Sequence, residues 1–446
     1  MPSTLQTRAG INGLISRLVA DIDEMLSRQL DAILHHPRFQ HLEACWRGLH
    51  LLVEDAPKNR RTKVSLLSIA WSEIVRDMER SLEFDQSLLF WKLHTTEFDM
   101  PGGEPFGVII CNYSISHKNA SDIRTLRRVA AVAEAAFCTV MFPADAQLFG
   151  MDSFADLHPS IVPQQLFRET EYRSWQVLRK DTSSRFMAFI MPGVLLRKPW
   201  GMMEVRRGKF PYREQCTQTQ DFLWGHPGFV LARILLREFE EVGWFAHIRG
   251  APRDTLAGGI VADVLPTLQV DMTDELISVI PPAELAITDG LERDLSECGL
   301  IALVQCWQTP YTAFFSLPSL FSSEKTSNQQ RGNDERMASQ VQNILCASRF
   351  AHYIKVLMRE KIGSFFTAAE CQAFIEEWLT HYSTAGENLN WSTKARYPLR
   401  SIRVEVRDKP LAPGHYLCDI HLAPHYQYDG LISEVKLTTE IARAAQ

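Results

Sequence analysis

A chain of 446 residues with 46% hydrophobic and 22% charged positions can fill two or three ordinary cores, which excludes a disordered tail or a disulfide-stapled mini-protein. Lys and Arg total 47 against 53 for Asp and Glu, and the formal net charge of −6 leaves no electrostatic footprint for nucleic acid. The nine cysteines are never spaced C-x-x-C, and no apolar run approaches the roughly 18 residues of a membrane span, so reduced thiols in a cytoplasm and no membrane contact are expected.

The opening stretch meets Asp21, Asp23 and Glu24 before any apolar run reaches signal-peptide length. Leu18, Ile22, Met25, Leu26 and Ile33, then Leu42, Trp46, Leu49 and Val53, fall mostly at helical spacing. They predict two amphipathic helices that turn at His36-Pro37. Lys63 to Ala70 has the character of a strand, and WSEIVRDMERSL and QSLLFWKLHTTEF that of helices. Phe106 to Ser114 is a nearly continuous apolar run, as a central strand covered on both faces requires. An Ala-rich helix over Ile123 to Phe137 and a buried strand over Cys138 to Phe142 follow, an alternation that predicts an α/β layer.

RFMAFIMP predicts another strand, and a helix follows Pro227 with Leu231, Ile234, Leu235 and Phe239 on its buried face. Gly, Pro and Asp between Ile248 and Asp274 predict surface loop. Gly299 to Trp307 and Tyr311 to Pro318 predict a hairpin, and the polar stretch from Ser322 to Arg336 a flexible insertion. Val341, Ile344, Ala347, Ala351, Ile354 and Met358, flanked by Met337 and Ile362, trace one stripe of a long helix, and a second helix spans about Ala368 to Tyr382.

The tail alternates: Ile402, Val404 and Val406, then Tyr416, Cys418, Ile420 and Leu422, then Val435, Leu437 and Ile441, with Asp429-Gly430 as a turn between the last two strands. This predicts a C-terminal β meander whose last strand has an open edge. The fold expected is α/β (α+β), with mixed sheets covered by helices. The divisions expected are 1–60 (helical), 61–320 (α/β body), 321–336 (insertion) and 337–446 (helices and meander).

Catalytic signatures are missing: there is no P-loop, dinucleotide fingerprint, zincin motif or nucleophile elbow. GGEPFG (Gly102 to Gly107) precedes a strand, whereas a phosphate cradle opens onto a helix N-terminus. His41 and Cys45 share a helix face with Asp31, His35 and His36 nearby in sequence, and His415, Asp419 and His421 share a strand face. Either set could hold a metal, but a solvated helix histidine and alternating strand polarity explain them more simply. His352 fits a satisfied structural histidine, and Cys138 and Cys306 small buried hydrophobes. Arg206, Arg207, Lys209 and Arg213, interleaved with Phe210 and Tyr212 and bracketed by Glu204 and Glu214, suit a solvated loop, or a salt-bridged contact with another protein, better than a base-stacking platform.

Seven blocks carry a resemblance: LDAILHHPRFQHLEACWRGLHLLV (Leu30 to Val53), GGEPFGVIICNYS, FGMDSFADL (Phe149 to Leu157), FLWG (Phe222 to Gly225), ELAITD (Glu284 to Asp289), RFAHYIKVLMREKIGSF (Arg349 to Phe365) and PLRSIRVEV (Pro398 to Val406). In this order they are similar to the large subunit of the bacterial type VI secretion contractile sheath, the TssC/VipB/EvpB family. The resemblance implies a contractile-tail-sheath-like fold and a structural subunit, not an enzyme, with no cofactor and no metal. Its implied partners are a small sheath subunit (TssB/VipA-like), other sheath subunits, inner tube hexamers and a baseplate. It also implies strand exchange between neighbouring chains at the C-terminal meander, where Tyr416, Cys418, Ile420, Leu422, Val435, Leu437 and Ile441 are the candidate partner-binding positions.

Two departures from the family pattern stand out. Only Met1 to Gln29 precede the LDAIL-like helix, where typical members carry a longer extension that includes a donated strand. The Leu-Pro-Tyr-like start of the long helix is replaced by Val341-Gln342-Asn343, so the helix is expected to run back to about Arg336. The alternatives are a paralogue at the baseplate or sheath end that accepts but does not donate a strand, and a cytoplasmic thiol- or metal-dependent hydrolase built on the histidine sets above.

Overall fold

The computed structural model describes the chain apart from residues 1–7, 55–61, 101, 158–161, 202–209, 211, 246, 252–256, 262–264, 267, 271–277, 281, 307, 308, 310, 323–334, 336, 337, 361–366, 385, 387–390, 409–414, 425–434 and 443–446. It is α/β. A six-stranded sheet is made by β1 (Val108–Ile110), β2 (Thr139–Pro143), β3 (Met187–Met191), β6 (Ile260–Val261), β9 (Leu300–Gln305) and β10 (Thr312–Phe314), in the order β1-β2-β3-β9-β10-β6. The first four strands in that order are parallel, and the last two pair antiparallel. Two short pairs flank it, β4 (Val194–Leu195) with β5 (Trp224–Gly225), and β7 (Leu268–Val270) with β8 (Ser278–Ile280).

The apolar runs of β2, β3 and β9 exist because both faces of these strands are covered. Val140, Phe142, Met187, Phe189, Met191, Leu300 and Ala302 pack on one side against α3 (Trp71–Arg80), α4 (Ala120–Ala135), α5 (Arg173–Lys180) and α7 (Asp289–Glu297). Met141, Ala188, Ile190, Ile301 and Leu303 pack on the other against α6 (Gly228–Val242) and the first turns of α8 (Val341–Glu360). As expected, Leu231, Ile234 and Leu235 form the buried face of α6. Phe239 is only half-buried, and Glu238 is buried beside it.

Burial pushes the Glu238 carboxyl up to about 7, although its Oε1 accepts the His247 N–H at 3.0 Å. From 4.5, the ordinary carboxyl value, to about pH 7, the folded chain keeps a proton that the unfolded chain has lost. Stability therefore falls with rising pH through that window and is level above it. Glu238→Gln preserves the acceptor without the charge. It is expected to match the parent below pH 4.5 and to exceed it above pH 7 by about 1–3 kcal/mol, measured by urea unfolding across the range.

Several expectations are corrected. The Phe106 to Ser114 run yields only β1, a margin strand rather than a central one. Its apolarity comes from contacts on both sides, Ile109 with the α4 side and Ile110 with Leu52 and Phe229. Residues 63–70 form no strand and pair with no described one, and Leu66 and Leu67 are exposed. The stretch from Ile248 to Asp274 is not all surface: Ile248 is fully buried, and Ile260–Val261 forms the far margin of the sheet. The long helix does not run back to Arg336. The Val341 N–H is spent on the Leu317 carbonyl and Gln340 bridges Pro318, so α8 starts at Val341. The predicted hairpin is present as β9 and β10, with Gln305 opposite Thr312. The polar stretch from Ser322 to Arg336 lies almost wholly outside the described residues.

The C-terminal strands β11 (Leu399–Asp408), β12 (His415–Pro424) and β13 (Val435–Ala442) form an antiparallel sheet in that order, the meander that the alternation predicts. The sheet closes a second core with α8 and α9 (Ala368–Thr380). Val404, Cys418, Ile420 and Leu422 meet Phe350, Ile354, Cys371 and Ile375, and Trp244 joins them from the end of α6. A capping box starts α9: the Thr367 hydroxyl accepts from the Glu370 N–H, and the Glu370 carboxylate accepts from the Thr367 N–H. His352 is buried on α8, and its Nε2–H donates to the Ala136 carbonyl at 3.0 Å. Burial pushes this imidazole down to about 4, so it is neutral and structural, as expected.

Candidate assembly surfaces

Every strand of an open sheet needs a partner on both edges or leaves a row of N–H and C=O groups free. β12 is central and pairs along its whole length with Leu399–Asp408 on one side and Val435–Ala442 on the other. Cys418, Ile420 and Leu422 are thus core residues on a strand with no free edge. Any contribution they make to a partner is through holding the sheet. Tyr416 pairs with Asp408 and Ile441, while Leu437 lies opposite Ile420 and Val435 opposite Leu422. The Asp429-Gly430 turn lies outside the described residues.

The two outer edges differ. β11 is partly engaged: the Thr384 N–H donates to the Leu399 carbonyl, the Leu399 N–H to Tyr382, and the Val406 N–H reaches the Gln372 side chain at 3.5 Å. The outer edge of β13 pairs with no described strand. The outer face of this sheet is charged, with Glu405 between Arg403 (2.9 Å) and Arg407 (2.5 Å). Those hydrogen bonds and charges hold the Glu405 carboxyl below the usual range. Asp419 lies opposite Glu405, and His421 opposite Arg403. Asp419 and His421 therefore sit opposite a salt-bridged row and join no ligand cluster among the described residues, and the His415 side chain of that expected set lies outside them.

At the other end of the chain, α1 (Arg8–Leu34) and α2 (Pro37–Glu54) meet at His35-His36, one residue before the expected turn, with Pro37 opening α2. The apolar stripe of α1 is uncovered. Leu18, Ile22, Met25 and Ile33 are each about half exposed, at 50–54%. By contrast α2 lies close on α6, because Gly48 faces the Phe229 ring, where an added Cβ would stand 2.4 Å from it.

An ion network ties the α1–α2 turn to the segment from Arg197 to Asp221. Arg197 forks onto Glu214, with Nη1 to Oε2 at 2.5 Å and Nη2 to Oε1 at 3.0 Å, and its Nε donates to Glu43 at 2.8 Å. Arg47 also donates to Glu43, the Trp200 N–H to Glu214 at 2.9 Å, and the Tyr212 hydroxyl to Asp31 at 2.7 Å. Burial pushes the Glu214 carboxyl up, but the Arg197 fork and the Trp200 N–H outweigh it and hold the group below the usual range. The network is built on Arg197 and Glu214 rather than on the basic residues of the Arg206–Arg213 stretch. Arg206, Arg207 and Lys209 lie outside the described residues.

His41 is exposed on α2, and the His41/Cys45 pair gathers no third ligand among the described residues. His35 is the residue of that stretch which meets other ligand groups, 3.2 Å from Glu214 across 179 positions. The sequence gives no signal for this, since only the fold brings the two segments together. Cys138 is fully buried and its thiol is pushed up by burial, which agrees with a packing role. No described helix is long and apolar enough to cross a membrane.

Residues 16–321 match the family model described as the EvpB/VC_A0108 tail sheath N-terminal domain, and residues 330–441 the tail sheath gpW/gp25-like domain. The chain belongs to the VipB/EvpB tail sheath family, the large subunit of the type VI secretion sheath. It is also 29% identical over 437 residues to the type VI secretion system sheath protein TssC1 of Pseudomonas aeruginosa, covering 97% of this chain and 86% of that protein.

Proposed function

We propose that this chain is the large structural subunit of a cytoplasmic type VI contractile sheath. It pairs with a small sheath subunit, stacks around the inner tube from a baseplate, and contracts to propel the tube without catalysing a reaction. Residues 61–320 form the body in this reading, and 337–446 the unit that offers strands to neighbours.

The observation that carries the proposal is the outer edge of β13, which pairs with no described strand, on a sheet whose inner face is fixed to α8 and α9. A strand from another chain adds there through main-chain hydrogen bonds, with alternate side chains giving selectivity. Such a contact does not close on itself, so it propagates a helix of subunits. The half-exposed stripe of Leu18, Ile22 and Met25 suits an amphipathic helix of the small subunit, because burying it removes a row of large apolar side chains from water.

Co-expression with the small subunit is expected to give heterodimers that grow into tubules visible by electron microscopy. Thr438→Pro and Thr439→Pro separate the two edges of β13, since adjacent residues point their N–H groups to opposite sides. The proline on the outward position is expected to abolish tubules and leave the monomer's melting temperature nearly unchanged. The inward one breaks pairing with β12 and lowers it. Tubules formed by both variants would overturn strand addition at this edge.

A further inference from the structure

We propose that His35, Glu214 and Cys216 form a binding site for one zinc ion, which pins the α1–α2 turn to the body of the chain. Among the described residues this is the one group of three such side chains whose ligand atoms all lie within 4.8 Å of each other. Imidazole, carboxylate and thiolate together are a donor set suited to Zn²⁺, and magnesium and calcium would reject the sulfur.

The spacing fits the ion. Nitrogen and oxygen donors at about 2.05 Å on tetrahedral directions stand about 3.3 Å apart, and a sulfur at about 2.3 Å stands about 3.6 Å from each. His35 Nε2 and Glu214 Oε1 are 3.2 Å apart. The Cys216 sulfur, within 4.8 Å of both, closes the remaining gap by rotation of its side chain. Its thiol proton leaves to solvent as the S–Zn bond forms.

An independent feature is the ring of groups behind the ligands. A zinc-bound histidine almost always presents its other ring nitrogen to a carboxylate or carbonyl, and a zinc-bound carboxylate is itself hydrogen-bonded. His35 turns Nδ1 toward Asp221 at 3.8 Å. Glu214 is held by the Arg197 fork and by the Trp200 N–H. Asp221 is fixed in turn by the N–H groups of Thr217 and Gln218, each at 2.8 Å. Glu43 takes Arg47 and Arg197, and Glu214 takes Arg197, while Asp31 accepts from the Tyr212 hydroxyl and Asp221 faces His35, so four carboxylates stand against two guanidinium groups and a dication finds negative charge to compensate. Three protein ligands leave a fourth position for water.

The test uses the full chain, stripped with a chelator and titrated with Co²⁺ as a coloured substitute. One equivalent is expected to give tetrahedral ligand-field bands together with a thiolate-to-cobalt charge-transfer band, both bleached by Zn²⁺. Cys216→Ser removes the charge-transfer band, and Asp221→Asn weakens binding about 10- to 100-fold through the histidine. X-ray absorption of the zinc-loaded parent, which needs no variant, is expected to show one sulfur and three nitrogen or oxygen neighbours. A parent with no charge-transfer band, a band that survives Cys216→Ser, or a zinc shell without sulfur would overturn the proposal.

Discussion

Arg197→Met in chelator-treated protein is expected to cost about 3–5 kcal/mol of stability, as loss of one member of a buried ion pair does. The Arg197 side chain is 8% exposed and that of Glu214 1%, so solvent cannot replace the guanidinium. Glu43 keeps Arg47, but Glu214 loses both arms of its fork and retains only the Trp200 N–H and His35. Urea unfolding followed through Trp200, whose ring lies 5.7 Å from the Arg197 guanidinium, reads the loss directly.

The sign of the pH dependence checks the cause. In the parent, Glu214 is held below its ordinary value of 4.5, so it contributes stability above that pH, and the contribution fades as the pH falls through the folded-state value. Without Arg197 that contribution is gone, and the gap between variant and parent narrows on acidification. Arg197→Met combined with Glu214→Leu is expected to recover most of the loss, because neither charge is then buried alone. A single-variant cost below about 1 kcal/mol would show that water reaches Glu214 after all.

The parts of the fold legible in the sequence are those fixed by one local pattern. Val140 to Phe142, Met187 to Met191 and Leu300 to Val304 are apolar at every position because helices cover both faces, and each is a buried strand. The same pattern misled at Val108 to Ile110: apolarity on both faces says that both are covered, not that another strand lies on each side. At Val64 to Leu67 the residues have strand character but no partner strand among the described residues, and strand formation depends on partners far away in the chain. The start of α8 was hidden for a related reason. Nothing near Gln340 breaks a helix, and the break comes from Pro318 and Leu317 claiming its backbone.

The candidate sites divide along the same line. The place of β13 at the margin of the meander follows from the order of the last strands, and was legible. Which tail residues face the core was legible only in part, since the pattern groups Cys418, Ile420 and Leu422 on one face without saying that the face is already filled by α8 and α9. The His35, Glu214 and Cys216 cluster was not legible, because its members come from the α1–α2 turn and a loop 179 residues on. A search limited to helical spacing finds His41 and Cys45 instead, which share a face but gather no third ligand among the described residues.

Phe350→Ala is expected to cost about 3–5 kcal/mol, the range for deleting a fully buried aromatic ring. Phe350 has no exposed surface and stacks on Trp244 at 4.4 Å, with Tyr382 and Trp378 edge-on at 5.8 and 6.1 Å. Those rings link α6, α8 and α9, while neighbouring Ile354 and Cys371 support Val404, Cys418 and Ile420 on the sheet. The cavity therefore opens in the layer that holds β11, β12 and β13 flat against their helices. Strand addition needs that sheet in register, so the variant is expected to lose tubule formation under conditions where the six-stranded sheet stays folded. Tryptophan emission from Trp244 and Trp378 follows unfolding of the C-terminal core, and a pull-down with the small subunit follows assembly. A variant that lost stability by this amount yet assembled normally would place the decisive contact away from the β13 edge, and would move attention to the uncovered stripe of α1.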